Sequence, residues 1–109
     1  MLRPQHRLRA LGEIRETLRF GARSHLAYCD IYTYPLESID TVRMACIVGK
    51  RVHASSVVRH DVQRRVRAAF SALVPLIDAP YAVVIVVSNS VVLDVGFQSL
   101  ISDIYYAIH

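Results

Sequence analysis

The chain has 109 residues, 53% of them hydrophobic, with four glycines, four prolines and a formal net charge of +4. That length supports one hydrophobic core and excludes two, and that composition excludes disorder, because enough apolar area can be buried to offset chain entropy. Positive charge is concentrated in two blocks: six arginines against Glu13 and Glu16 in residues 1–25, and seven basic residues against Asp61 in residues 41–67.

The remaining stretches are acidic, and twelve of the thirteen basic residues are arginine. Arginine grips phosphate in a bidentate fork and stacks on bases, so folding that joins the two blocks would make a polyanion footprint. In chain order, residues 1–6 are expected to be flexible. Leu8, Leu11, Ile14 and Leu18 then step by three and four among Arg and Glu, a short amphipathic helix stopped at Gly21. From Tyr28 to Tyr34 the period changes to two, with Tyr28, Asp30, Tyr32 and Tyr34 on one face of a strand. Pro35 breaks it, and Thr41 to Val48 supplies a second β-rich run closed by Gly49. A third short strand is expected around Lys50 to Val52, before Ser55 or Ser56 caps the next helix.

That helix reads VVRHDVQRRVRAAF from Val57 to Phe70. At roughly 100° per residue, Val58, Val62, Val66, Ala69, Phe70 and Leu73 share one arc, while Arg59, His60, Gln63, Arg64 and Arg67 fan out along the next. One arc packs a core and the other is placed to meet phosphates. An ordinary solvated face is the bland alternative, but Arg59, Arg64, Arg65 and Arg67 fall within nine residues against the single acid Asp61, an unusual density for one. Pro75 and Pro80 bracket a loop, and Tyr81 to Val87 is an unbroken valine-rich run, as expected of a central strand covered on both faces. Phe97, Leu100, Ile101, Ile104, Tyr105 and Ile108 follow Asp94 in a three-four pattern, a capped C-terminal helix. The expected fold is α+β: a single domain over 1–109, a two-layer α/β sandwich of order αβββαβα with a mixed four-stranded sheet and helices over one face.

Cys29 and Cys46 lie in apolar stretches and are expected to be reduced core residues. The histidines have no metal-ligand spacing, and neither a Gly-rich phosphate loop nor a nucleophile motif occurs, so no metal site and no independent active site are expected. No secretory signal is apparent and the run Ala82 to Val87 is too short to cross a bilayer, so the cytoplasm is the expected compartment and no membrane partner is expected.

The element order, Arg7-Leu8-Arg9 at the start, Gly21 after the first helix, Arg43 to Lys50 (RMACIVGK) and the segment Arg59 to Phe70 together resemble the protein subunit of bacterial ribonuclease P over nearly the whole chain. The family's second helix opens Arg-Asn-Arg, continues with Lys-Arg and another Arg, and then reads Ala-Phe. Arg59, Arg64, Arg67, Ala69 and Phe70 fall on matching positions, whereas His60 replaces Asn, Asp61 replaces Arg and Gln63 replaces Lys. The resemblance implies an accessory role: an RNA subunit uses Mg²⁺, held mainly by that RNA, to cleave the 5′ leader from precursor tRNA, while the protein assists. It further implies that Lys50, Arg51, Arg59, His60, Arg64, Arg65 and Arg67 face the catalytic RNA, with Arg7 and Arg9 as further basic contacts. A cleft between the first helix and the sheet would hold the leader. Tyr32 matches the family's sheet tyrosine, while Ile14 and Leu18 stand where the first helix usually offers phenylalanines, leaving Tyr28 and Tyr34 to supply rings. The implied partners are the catalytic RNA and precursor tRNA, with no further protein. The alternatives are another RNA-binding module, ribosomal or assembly-related, on the same split β-α-β scaffold, or a domain whose arginines meet an acidic protein.

Overall fold

The computed structural model describes residues 2–109; Met1 lies outside the described residues. Helix α1 spans Leu11–Phe20, followed by strands β1 (Ala22–His25), β2 (Cys29–Pro35) and β3 (Arg43–Val48), helix α2 (Ser56–Leu73), strand β4 (Tyr81–Val87) and helix α3 (Phe97–Ile108). Short 3-10 turns occupy Pro4–His6, Val74–Leu76 and Ser90–Leu93. The strands form one sheet in the order β1-β2-β4-β3, antiparallel from β1 to β4 and parallel between β4 and β3. The expected α+β class, element order and mixed four-stranded sheet are all present.

Strand β4 explains the layering. Its residues alternate between two cores: Val83, Ile85 and Val87 join Phe70, Val66 and Val62 of α2 and Leu100 and Ile104 of α3. Ala82 and Val84 join Leu8, Leu36 and Ile39, with Ile14 and Leu18 of α1 packed against them. An apolar side chain at every position is what a strand covered on both faces requires. Helix α1 therefore lies on the opposite face from α2 and α3, and the helices flank both faces of the sheet instead of one.

The third strand differs in place from expectation. Lys50 to Val52 form a tight turn, closed by the Val52 amide donating to the Gly49 carbonyl at 3.0 Å, and the missing strand is β1, whose Arg23 and Ser24 pair with Tyr32 and Ile31. β1 is an edge strand with most of its residues exposed, so ARSH carries no apolar alternation by which to recognise it. Gly21 does end α1, but not by adopting a left-handed conformation: its φ is −70°. A Cβ there would stand 2.5 Å from the Thr17 carbonyl oxygen of α1 itself and 3.1 Å from that of Thr33 in β2, so glycine is required where the chain leaves the helix and passes close to β2.

Within the segment 2–6, where flexibility is expected from sequence, Arg3, Pro4 and Gln5 are exposed while Leu2 and His6 make contacts with the rest of the fold. Leu2 is 1% exposed in the main core, the His6 ring hydrogen bonds through Nδ1 to the Val42 carbonyl at 2.9 Å, and Arg7 bridges Met44 in parallel register. The Leu8 amide donates to the Met44 carbonyl at 2.9 Å, which puts Leu8 in this edge-covering segment, ahead of α1. Asp94 does not cap α3, whose N-cap is Gly96 with no side-chain hydrogen bond. Among the described residues, no helix is long and apolar enough to cross a membrane.

Candidate nucleic-acid interface

Helix α2 is started by Ser55, whose hydroxyl accepts from the Val58 amide at 3.4 Å. Val62, Val66, Ala69, Phe70 and Leu73 are buried against the sheet and α3, which fixes the rotation of the helix about its axis. That rotation sends His60, Arg64, Arg67 and Ala68 along one outward ridge, at the four- and three-residue steps of a single helix face. Arg7 stands across from them, and these five residues line one concavity. Arg7 is held by its backbone bridge to β3 and by its Nε donating to the Leu2 carbonyl at 3.3 Å.

Arg67 and Arg7 also line a second concavity with Leu8, Arg9, Ile14, Met44, Ala45, Cys46 and Ile47. The ridge of α2 is thereby continuous with the cleft under the N-terminal end of α1. The two basic sequence blocks meet here, and neither concavity has an acidic lining residue. Asp61 is exposed and lies 3.8 Å from Arg64 as an (i, i+3) pair with side chains 53% and 74% exposed, a geometry in which an ion pair contributes little and a phosphate can displace it.

The other expected contacts are distributed differently. Arg59 donates through Nη1 to the carbonyls of His53 and Ala54, both at 2.9 Å, so it ties down the turn before α2. Lys50 and Arg51 are exposed in that turn, beyond the lining of the two concavities. Gln63 donates to the Cys46 carbonyl at 3.3 Å, clamping α2 to β3. Arg65 stands apart from the ridge of His60, Arg64 and Arg67: it donates to the Val95 carbonyl and its guanidinium lies 5.7 Å from the centre of the Phe97 ring. The helical period places Arg65 on the α3 side, and its Nε is buried without a partner among the described residues.

On the α1 face of the sheet, Tyr32 and Tyr34 pack against the second core beside Ile14 and Leu18. Tyr28 does not join them. The chain bends at residues 27–28, so Tyr28 escapes the alternation of β2, is 4% exposed in the main core, and donates its hydroxyl to Asp103 Oδ2 at 2.7 Å. Burial, followed by the hydrogen bond and charge of Asp103, pushes its phenol well above the usual range. At the β1 side of this face, Asp30 is hydrogen bonded by His25 and, at 3.0 Å, by Arg23; the His25 bond foremost holds its carboxyl below the ordinary value.

One exposed side chain on this face belongs to none of the sequence motifs. Phe20, the last residue of α1, is 60% exposed and its ring centre lies 6.3 Å from that of Tyr34. It falls off the apolar stripe of α1, and an aromatic outside the stripe is the signal that marks it. Among the described residues, no group of three or more His, Cys, Asp or Glu side chains is arranged to hold a metal ion.

The sequence matches the family model described as Ribonuclease P over residues 2–108. It is 31% identical to the ribonuclease P protein component of Mycobacteroides abscessus, across 94% of this chain and 87% of that one. The fold is similar to the solved ribonuclease P protein of Staphylococcus aureus, with a TM-score of 0.77 and 16% identity over 94% of this chain and 91% of that one. It is similar also to that of Thermotoga maritima, with a TM-score of 0.76 and 16% identity over 92% of each chain.

Proposed function

The chain belongs to the ribonuclease P protein family, and from that premise we propose that the α2 ridge grips the catalytic RNA while the cleft under α1 receives the 5′ leader of precursor tRNA. As the protein subunit of a ribonucleoprotein that matures tRNA 5′ ends, it leaves hydrolysis to the RNA and the Mg²⁺ that the RNA holds. One observation carries this reading: Arg7, His60, Arg64 and Arg67 converge on a single concavity that runs on, through Arg7 and Arg67, into the cleft. Guanidinium groups held at a phosphate backbone release condensed counterions, which drives association and makes it salt-dependent. Backbone contacts of this kind position an RNA without selecting its sequence.

In this reading Arg9 extends the basic wall, Lys50 and Arg51 add contacts at the end of α2, and Arg59 shapes the turn that presents them. Ile14, Leu18, Tyr32 and Tyr34 form the leader cleft. The partners are the catalytic RNA and precursor tRNA, with no further protein, and the cytoplasm is the compartment. Reconstitution tests it. The chain alone will not cleave precursor tRNA, and with its cognate catalytic RNA at low Mg²⁺ it will raise the cleavage rate. Absence of stimulation would overturn the proposal.

A further inference from the structure

The cleft floor at Ile14 and Leu18 is aliphatic and half-buried in the second core, so neither side chain offers a ring to a base. An aromatic pair stands instead at the other end of α1. Phe20 is 60% exposed, its ring is tilted 35° to that of Tyr34 at 6.3 Å, and the Arg19 guanidinium lies 5.3 Å from its centre. We infer that Phe20, with Tyr34 and Arg19, is a stacking station for one base of single-stranded RNA. The inference rests on the function proposed above and adds to it a binding point at the end of the cleft away from α2.

Three features distinguish this group from a stray surface phenylalanine. The helix end is clamped: Gly21 lets it approach the Thr33 carbonyl closely, and Thr17, fully buried, donates its hydroxyl to the Glu13 carbonyl at 2.8 Å. Phe20 is therefore presented on a fixed backbone, with little ordering left for a ligand to impose. Its ring has an aromatic partner and a cation, a combination that suits a nucleobase stacked on the ring with its phosphate toward the guanidinium. The surrounding charge also has a direction, because Glu16 and Glu37 share a concavity with Tyr34. Their carboxylates repel phosphate, so the RNA backbone must pass on the Arg19 side.

Stacking of a base on an aromatic side chain corresponds to roughly a fivefold to 150-fold change in affinity. The test compares Phe20→Ala, Phe20→Leu and Phe20→Tyr in the reconstituted holoenzyme, measuring affinity for precursor tRNA and for mature tRNA. The expected result is a loss of that size for precursor tRNA with Phe20→Ala and Phe20→Leu, retention with Phe20→Tyr, and no change for mature tRNA. Equal affinity of the Phe20→Leu and wild-type holoenzymes for precursor tRNA, or equal losses on both RNAs, would overturn it. Titration of a single-stranded RNA oligonucleotide onto the protein alone separates this from the family role. If the wild-type chain fails to stimulate the catalytic RNA, the proposed function falls, while a ring-dependent oligonucleotide affinity supports the station and its absence overturns it.

Discussion

At the residue scale, the arginines of α2 divide by what each touches. Arg64 and Arg67 line the concavity opposite Arg7, whereas Arg65 is spent on the Val95 carbonyl and the Phe97 ring. Substituting the first pair should thus behave unlike substituting the third. Arg67→Ala should weaken RNA binding and flatten the slope of log K against log salt by about 0.7 to 0.9 for each phosphate no longer neutralised. Arg65→Ala should leave that slope unchanged and lower the unfolding midpoint, since it removes the donor to the partly buried Val95 carbonyl and the cation beside Phe97. Salt titrations and thermal unfolding of both variants check the division, and equal slope changes would contradict it. Sequence alone grouped these arginines because spacing shows which residues share an arc but not where the neighbouring helix lies. Position 65 is roughly 100° from position 64, enough to carry it from the groove to α3.

At the element scale, the end of α1 is set by contact with β2. Gly21→Ala keeps an accessible backbone conformation but drives a Cβ to 2.5 Å from the Thr17 carbonyl oxygen of α1 and 3.1 Å from the Thr33 carbonyl oxygen of β2, so the backbone at the helix end must shift. A destabilisation of about 1 to 3 kcal/mol is expected, as for overpacking elsewhere, and urea unfolding of the variant measures it. A variant as stable as the parent would mean that the helix end yields at no cost. The strong periodic signals, at α2, β4 and α3, were legible because each buries a continuous stripe or both faces. The weak ones were not. Strand β1 has an exposed edge and no hydrophobic alternation, and Tyr28 matches the alternation of β2 in sequence while the bend before Cys29 turns it into the opposite core. The stop at Gly21 was legible, but its cause, a Cβ caught between the Thr17 carbonyl of α1 and the Thr33 carbonyl of β2, includes a contact from β2 that no local pattern reveals.

At the scale of the whole molecule, the main core holds three groups that resist ionisation. Burial pushes the thiols of Cys29 and Cys46 up to about 12, and raises the Tyr28 phenol further. Each folded value lies above the ordinary one of about 8.5 for Cys and 10 for Tyr. Their contribution to stability is hence complete below those ordinary values and is lost as pH rises toward the folded ones. The protein should keep its stability through neutral pH and lose it progressively from about pH 9 upward, and both thiols should react with an alkylating reagent only on unfolding. Circular dichroism across an alkaline titration and a thiol-labelling time course test this; rapid labelling of the native chain would refute it. Both cysteines are free and buried, the core placement that their apolar sequence context predicts.

The docking of residues 2–8 along β3 has a consequence for how RNA and protein depend on each other. Arg7 and Arg67 are sixty positions apart in the chain, and they become two walls of one groove only after β3, α2 and the N-terminal segment have all assembled. An unfolded chain has the same charges but no such groove, so an RNA that needs both walls binds the native ensemble selectively. By mass action it then acts as a folding ligand, adding about 2.7 kcal/mol of apparent stability when present at roughly a hundred times its dissociation constant. Protein copies made in excess of their RNA would forgo that support, and proteolytic turnover of the surplus would couple protein abundance to RNA supply without any dedicated regulator.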